Sequence, residues 1–524
     1  MFDFEKKNML CRKFTRQPMH TKTLLLVFFI VLKFVLQYFA IAPAYELQRD
    51  EYLHLDQARH LAWGYISVPP LTSWVSYLIL LLGNGVFWVK FFPALFGALT
   101  IWLVWKTIEA LNGGLFALCL SATAILCSAL VRVNTLYQPN SVDYLCWTLV
   151  YYAFVRFVQT EKPRFLYLGA VAFALGFLNK YNIAFLALGL FPALLLTPTR
   201  KVFANRNLYL ALGLALLLIS PNLYWQYSNG FPVLHHMREL SERQLVNVDR
   251  ADFFKEQILF FIGSVWMWVA GLVAFWLYRP FRPYRFLFFS FVFTMGLFVY
   301  FRAKGYYAIG LYPILHAFGA LYLEQLLQKG WSAYLRPIAL AFPVVIFGMM
   351  AQVVLPMRSP VEIIKHPEMY QSLGLLRWED GKDHPLPQDF ADMQGWKELA
   401  QKVDRAYAKL SHQHTLVLCD NYGQAGAINF YSKLGIQAVS MNADYINWIP
   451  LDKPIVNVIL VQESGDEDPN REDEKPIFAR VYRVGEIKNP YAREKGAKIY
   501  VLEGAKVPIA PILREDIAKE KRGE

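Results

Sequence analysis

Residues 50–72 read DEYLHLDQARHLAWGYISVPPLT, and they closely follow an apolar run at residues 24–42, LLLVFFIVLKFVLQYFAIA. An apolar run of this length is long enough to cross a bilayer as one helix. The polar stretch after it opens with Asp50 and Glu51 and adds a further acid, two histidines and an arginine. Because ionisable groups beside hydrocarbon are costly, this cluster next to a span indicates a functional loop at the membrane surface.

The composition excludes an ordinary soluble protein. Of the 524 residues, 56% are hydrophobic and only 18% are charged, whereas about 25% charged residues is usual in soluble domains. The net charge of +12 is better explained by the orientation of the chain in the membrane than by nucleic-acid binding, because Lys and Arg concentrate in cytoplasmic loops. The five cysteines have no spacing typical of a metal site or a disulfide framework.

Further apolar runs predict about eleven membrane crossings in total. They lie at residues 88–105, 115–131, 142–158, 165–178, 183–196, 208–223, 253–278, 286–301, 306–327 and 338–355. The run at 71–82 is shorter, and it fits a helix in the membrane interface better than a span.

The basic residues support this number of crossings. With 71–82 in the interface, twelve basic residues in five loops fall on the side of the basic N-terminal tail, which the positive-inside rule places in the cytoplasm. These residues are Lys106, Arg156, Lys162, Arg164, Arg200, Lys201, Arg206, Arg279, Arg282, Arg285, Lys329 and Arg336. We therefore expect an uncleaved first span, a cytoplasmic N-terminus and a long outer loop at residues 43–86 with interfacial helices.

The composition becomes mixed and polar after residue 355. This shift predicts a membrane domain at residues 1–355 and a soluble domain outside the cytoplasm at residues 356–524. In the second domain, residues 415–419 and 456–461 are predicted to be strands and residues 425–434 a helix. The predicted fold class is an all-α polytopic membrane protein with a C-terminal α/β domain.

This topology gathers charged residues from distant loops on the outer side. They are Asp50, Glu51, His54, Asp56, Arg59, His60, Arg132, Asp143, Lys180, Arg302 and Lys304. Paired acids with several cations suit a transfer reaction with a phosphate leaving group. A carboxylate takes the proton of an attacking hydroxyl, while Lys and Arg stabilise the charge on the departing phosphate.

Each of these residues also has a structural interpretation. Lys180, Arg302 and Lys304 could extend from the membrane to its interface as anchors. Asp50 and Glu51 could be solvated acids at a helix end. The functional interpretation rests on the convergence of all of them on one side.

Five further blocks, in chain order, carry a resemblance to a known family. They read NSVDYLCWTLVYYAFVRF (140–157), GFLNKYNIAF (176–185), PNLYWQYSNGFPVLHHM (221–237), RAKGYYAIGLYPILHAFGA (302–320) and CDNYGQAGAINFYSKLG (419–435). With residues 50–72, they resemble the GT-C membrane glycosyltransferases related to protein O-mannosyltransferases and to the lipid A aminoarabinose transferase, in the ArnT-like branch of glycosyltransferase family 39.

The resemblance implies a GT-C fold with about 11–13 transmembrane helices in the bacterial cytoplasmic membrane. It implies an inverting transfer of a sugar from a polyprenyl-phosphate donor to lipid A, another glycolipid or a protein outside the cytoplasm. By similarity, Asp50 is the catalytic base and Glu51 its partner. The residues expected to face the donor phosphate are Lys180, Arg302 and Lys304, and those expected to line the site are His54, Arg59, Tyr306 and Tyr307.

Two departures leave the sugar and the acceptor open. Many relatives have His where this chain has Val68, and the aminoarabinose transferase pattern has Arg-Tyr in place of Leu53-His54. No ligand set for a divalent metal is evident, so metal dependence is open too. The alternatives are a transporter or flippase of lipid-linked sugars, which the absence of a visible repeat disfavours, and a non-catalytic membrane scaffold.

Overall fold

The computed structural model describes residues 19–243, 248–465, 468 and 470–522. The basic N-terminal tail with Cys11 lies outside these residues. The membrane part is helical: α1 Met19–Phe39, α2 Arg49–Asp56, α3 Leu71–Leu81, α4 Val86–Ala110, α5 Leu115–Leu126, α6 Leu130–Val133, α7 Asn140–Thr160, α8 Arg164–Asn179, α9 Ile183–Leu195, α10 Arg206–Ser228, α11 Pro232–Arg243, α12 Arg250–Leu259, α13 Val265–Leu277, α14 Arg285–Tyr300, α15 Tyr312–Leu326 and α16 Leu335–Val354.

Within the described residues, six helices are long and apolar enough to cross a membrane. They are His20–Phe39, Val86–Ala110, Arg206–Ser228, Arg279–Tyr300, Gly305–Leu326 and Gly330–Val354. A bent pair, Ile183–Leu195 with Pro198–Ala204, makes up to seven, and shorter apolar helices include α3, α5, α8 and α13. The side of the membrane on which each loop lies stays a prediction.

The predicted crossings outnumber these helices because the structure breaks or shortens several apolar runs. The run at 253–278 is divided between α12 and α13, with turns between Phe260 and Ser264. At that break Gly263 lies against α16, where an added Cβ would approach Pro343 Cα to 3.0 Å. The break between α12 and α13 therefore lies where α16 packs closely against the chain. No local sequence pattern predicts such packing.

The C-terminal part is built on a five-stranded mixed sheet. The strands are β1 Thr415–Cys419, β2 Ala438–Ser440, β3 Asn457–Gln462, β4 Phe478–Glu486 and β5 Lys498–Ala505, in the order β2-β1-β3-β5-β4. Strand β1 pairs in parallel with β2 and β3, with Val417 opposite Ile459, and β5 is antiparallel to β3 and β4. The helices are α17 Pro360–Lys365, α18 Glu368–Ser372, α19 Gln388–Ala391, α20 Trp396–Tyr407, α21 Tyr422–Tyr431 and α22 Ile509–Arg522.

The predicted fold class is confirmed in this architecture of a helical bundle followed by a sheet domain. The strand predicted at 415–419 coincides with β1. The strand predicted at 456–461 corresponds to β3, which is shifted by one residue towards the C-terminus. The helix predicted at 425–434 begins three residues earlier, as α21. The division of the chain into 1–355 and 356–524 stays a prediction.

Helix α2 and the sheet domain share one apolar core. Tyr52 and Leu55 of α2 are buried in the same cluster as Trp396 of α20, Ile428 of α21 and Ile459 of β3. Because this burial joins residues more than 300 positions apart, the loop after the first span is held by the C-terminal domain as well as by the bundle.

Candidate active site

Asp50 and Glu51 lie in the first turn of α2, and Gln48 caps the start of this helix. The side-chain oxygen of Gln48 accepts a hydrogen bond from the backbone N–H of Asp50 at 2.9 Å. In return, the backbone N–H of Gln48 donates to Glu51 Oε2 at 2.7 Å. This reciprocal arrangement satisfies amide donors that a helix start leaves unpaired. It also fixes the directions in which the two carboxylates leave the helix.

Asp50 is half-buried at the junction of the bundle and the sheet domain. Its Oδ2 accepts a hydrogen bond from Gln138 Nε2 at 3.0 Å, and its Oδ1 accepts one from the Tyr422 hydroxyl at 2.7 Å. A carboxylate has about four acceptor sites. Asp50 therefore keeps acceptor capacity for a further donor.

Glu51 lies in different surroundings from its neighbour. Its side chain is 0% exposed, and both of its oxygens lie 2.7 Å from Lys90 Nζ. The amide of Tyr137 also donates to Oε1 at 2.7 Å. The predicted partner of Asp50 is thus engaged in a buried ion pair that ties α2 to α4.

Lys180 ends α8 and lies over two aromatic rings. Its Nζ is 4.3 Å from the centroid of the Tyr307 ring and 5.1 Å from that of Tyr306. It also donates a hydrogen bond to Asn140 Oδ1 at 2.8 Å. Asn182 fixes the aromatic segment by donating to the Tyr307 carbonyl at 3.1 Å.

A chain of hydrogen bonds connects Lys180 with Asp50. Lys180 donates to Asn140 Oδ1, and Asn140 Nδ2 donates to Gln138 Oε1 at 3.1 Å. Gln138 in turn donates to Asp50 Oδ2. An acid and a cation from loops 130 positions apart are thereby placed at one site. Sequence reasoning did not identify Gln138 or Asn140, although both lie just before or at the start of a block that carries the resemblance.

The loop between α14 and the next helix carries the two remaining predicted cations. Arg302 is exposed and has a φ of 52°, and Lys304 Nζ forms an ion pair with Glu379 Oε1 at 3.2 Å. The same loop continues into Tyr306 and Tyr307, which contact Lys180. The structure therefore brings the aromatic pair to Lys180, and it connects Lys304 to the C-terminal part.

His54 and Arg59 differ in exposure. His54 is buried one turn after Asp50, and its Nδ1 lies 3.4 Å from Gln57 Oε1. Burial lowers the pKa of His54, which favours a neutral ring. Arg59 is exposed at the end of the short helical segment Gln57–Arg59.

The C-terminal part contributes residues that sequence reasoning did not place in the site. Tyr422 reaches Asp50, and Tyr445 and Asn429 each donate to Asp56 Oδ2 at 2.6 Å. The signal for Tyr422 was its place in the block CDNYGQAGAINFYSKLG, at a turn between a strand and a helix. Within the part of the chain that the structure describes, no group of three or more His, Cys, Asp or Glu side chains is placed to hold a metal ion.

The fold is that of a GT-C membrane protein. The crystal structure of ArnT from Cupriavidus metallidurans bound to undecaprenyl phosphate superposes with a TM-score of 0.61 at 17% identity, over 91% of this chain and 98% of that chain. The apo state of the same protein gives 0.61 at 15% identity, over 92% and 98%. This likeness shows the fold, and with the apolar helices it identifies the chain as an integral membrane protein.

Two comparisons at the level of sequence agree with the fold. Residues 67–225 match the model of the family described as dolichyl-phosphate-mannose-protein mannosyltransferase. The chain is 22% identical over 228 residues to the lipid A galacturonosyltransferase RgtD of Rhizobium johnstonii. The aligned region covers 40% of this chain and 48% of that protein. The match thus spans about half the length of this curated relative. These comparisons confirm the predicted resemblance, while the activity and the roles of individual residues stay predictions.

Proposed function

We propose that the chain is an integral membrane glycosyltransferase that moves a sugar from a polyprenyl-phosphate donor to an acceptor outside the cytoplasm. The observation that supports this most directly is the hydrogen-bonded path from Asp50 through Gln138 and Asn140 to Lys180. This path joins an acid able to accept a proton to a cation able to hold a phosphate, which supports a transfer with a phosphate leaving group.

Asp50 acts as the general base in this proposal. It accepts the proton of an acceptor hydroxyl or amine while that atom attacks the anomeric carbon of the donor sugar. The bond between this carbon and the phosphate oxygen breaks in the same step, so the configuration at the sugar inverts. Two donors hold the carboxylate, which is half-buried and still open to a substrate.

The cations act on the departing polyprenyl phosphate. Lys180, Arg302 and Lys304 stabilise the negative charge that grows on the leaving oxygen. The ring faces of Tyr306 and Tyr307 hold the Lys180 ammonium by cation–π interactions. Glu51, buried against Lys90, positions the start of α2 and does not itself take the proton.

The substrates are proposed from the named relatives. ArnT binds undecaprenyl phosphate, which supports a polyprenyl-phosphate donor, and RgtD acts on lipid A, which favours a glycolipid acceptor over a protein. An enzyme of this kind works in the bacterial cytoplasmic membrane with its site on the outer side. The orientation predicted from the basic residues agrees with that placement.

The test is mass spectrometry of the lipids and glycans of the cell envelope, with and without the gene and with an Asp50→Asn variant. We expect one sugar to disappear from one lipid or protein in both the deletion strain and the variant strain, since loss of a general base costs about a hundredfold to ten-thousandfold in rate. The matched control is Asp383→Asn, because Asp383 is an exposed acid in an exposed ion pair and such pairs contribute little.

Two results would contradict the proposal. Full transfer by purified Asp50→Asn protein would exclude Asp50 as the base. An unchanged envelope together with accumulation of lipid-linked sugar on the cytoplasmic side would favour a transporter.

A further inference from the structure

The turn after β1 holds Tyr422 in a fixed place. The side chain of Asn421 accepts a hydrogen bond from the Gln424 amide at 3.0 Å and so caps α21. The same side chain donates to Glu463 Oε1 at 2.8 Å, and Glu463 directly follows β3. Because β1 and β3 are parallel, the cap is anchored on both strands at their carboxyl edge, and Tyr422 begins the helix there.

Helix α21 packs directly on α2. A Cβ added at Gly426 would lie 2.7 Å from the Cβ of Tyr52 and 3.1 Å from its carbonyl carbon. A larger residue at this position would push the two helices apart, because real Cβ atoms almost never approach so closely. This close packing keeps α21, with Tyr422 at its start, near α2.

Tyr422 joins the two residues that open α2. Its hydroxyl donates to Asp50 Oδ1 at 2.7 Å, although the two residues are 372 positions apart. The Arg49 guanidinium lies over its ring at 4.5 Å from the centroid. Burial, followed by the charge of Asp50, raises the pKa of Tyr422 well above its usual value, so the phenol stays protonated and acts as a donor.

We propose that Tyr422 is a positioning residue for the base and that the C-terminal domain thereby completes the catalytic centre. This inference rests on the proposed function of Asp50. Gln138 from the bundle holds one oxygen of the carboxylate, and Tyr422 from the sheet domain holds the other. The two donors fix the plane of the carboxylate and leave the remaining lone pairs for the proton of the acceptor.

The experiment compares Tyr422→Phe with wild type and with Tyr431→Phe. Tyr431 is the matched control, since it lies on the same helix and its hydroxyl accepts a hydrogen bond from the Tyr52 hydroxyl at 3.3 Å. Membranes of the deletion strain carrying each variant are incubated with their endogenous lipid-linked donor. The rate of formation of the product that the deletion removes is followed by mass spectrometry between pH 5 and pH 9.

We expect Tyr422→Phe to lower the maximal rate about tenfold to a hundredfold, the usual effect of losing a hydrogen bond to a charged group. We also expect the pH dependence of its rate to differ from that of wild type, because the lost hydrogen bond is made to the proposed base itself. Tyr431→Phe should change neither. A purely structural role of Tyr422 would lower the amount of folded protein without moving the pH profile.

The result that overturns the inference is a Tyr422→Phe profile identical to wild type in rate and pH dependence while Asp50→Asn is inactive. In that case the proposed function stands and the role of Tyr422 falls. If Asp50→Asn is itself fully active, the proposed function fails, and the positioning role fails with it.

Discussion

At the scale of single residues, two adjacent acids have different surroundings and so different proposed roles. Glu51 is fully buried and paired with Lys90, whereas Asp50 is half-buried and accepts hydrogen bonds from two neutral donors, Gln138 and Tyr422. Lys90 occupies both oxygens of Glu51, whereas Asp50 keeps acceptor capacity for the proton of a substrate. Their tertiary environment, and not their residue type, distinguishes them.

Lys180→Gln tests the cation of the site. We expect purified protein carrying this change to bind undecaprenyl phosphate about tenfold to a hundredfold more weakly, because it loses a charge-assisted hydrogen bond to the phosphate. Lys162→Gln is the control, since Lys162 is exposed and lies two residues before the start of α8, at the opposite end of the helix from Lys180. Binding is measured by native mass spectrometry, and equal affinity of both variants would remove Lys180 from the donor site.

At the scale of elements, the start of α2 depends on a buried ion pair. Lys90 of α4 donates to both oxygens of Glu51 and also to the Thr135 carbonyl at 2.9 Å. Through this lysine, α2, α4 and the loop before α7 are connected at one point. The pair explains how an eight-residue helix is held between two larger bodies.

Glu51→Gln is expected to lower the free energy of unfolding by about 3–5 kcal/mol, because breaking a buried pair leaves an uncompensated charge. Thermal unfolding of the purified protein measures the loss. The double variant Glu51→Gln with Lys90→Met should recover part of it, since both charges are then absent. A single variant as stable as wild type would show that the pair does not hold α2.

At the scale of the whole molecule, buried acids line the contact between the loop after α1 and the C-terminal part. Burial raises the pKa of Asp56 and of Asp444 to about 6, although both accept hydrogen bonds that lower it. Burial raises the pKa of Asp392 to about 7, against the lowering effect of Arg493 and Arg49. The cohesion of this contact should therefore depend on pH near neutrality.

Asp392→Asn isolates one of these acids. The folded protein takes up a proton on Asp392 below about pH 7, whereas the unfolded chain does so only near its usual value of 3.8. The contribution of this group to stability is thus present at low pH and is lost as pH rises to 7. We expect the stability of the variant relative to wild type to increase from pH 5 to about pH 7, at about 1.4 kcal/mol per pH unit, and to level off above about pH 7.

Thermal unfolding of both proteins across this range checks the slope. Burial lowers the pKa of His54 and His60, which destabilises the folded state at low pH in both proteins, so their effect cancels in the difference. A difference that does not vary with pH would mean that Asp392 titrates as in the unfolded chain.

Much of the architecture could be predicted from local patterns. The long apolar runs indicated a helical membrane protein, and β1 was placed at its correct residues because short apolar runs bounded by turns are typical of buried strands. The number of spanning helices was harder to predict. Breaks such as that near Gly263 lie where one helix packs closely on another, and such packing leaves no local pattern.

The sequence by itself determined the class of protein, the sheet domain and the candidate residues from Asp50 to Tyr307. These follow from composition, hydrophobic periodicity and ordered blocks, which are local properties of the chain. Only the tertiary structure decided that Gln138 and Asn140 connect Asp50 with Lys180, and that Tyr422 meets Asp50 from the far end of the chain. A hydrogen bond between residues hundreds of positions apart depends on the relative placement of packed elements, and no single stretch of sequence contains that information.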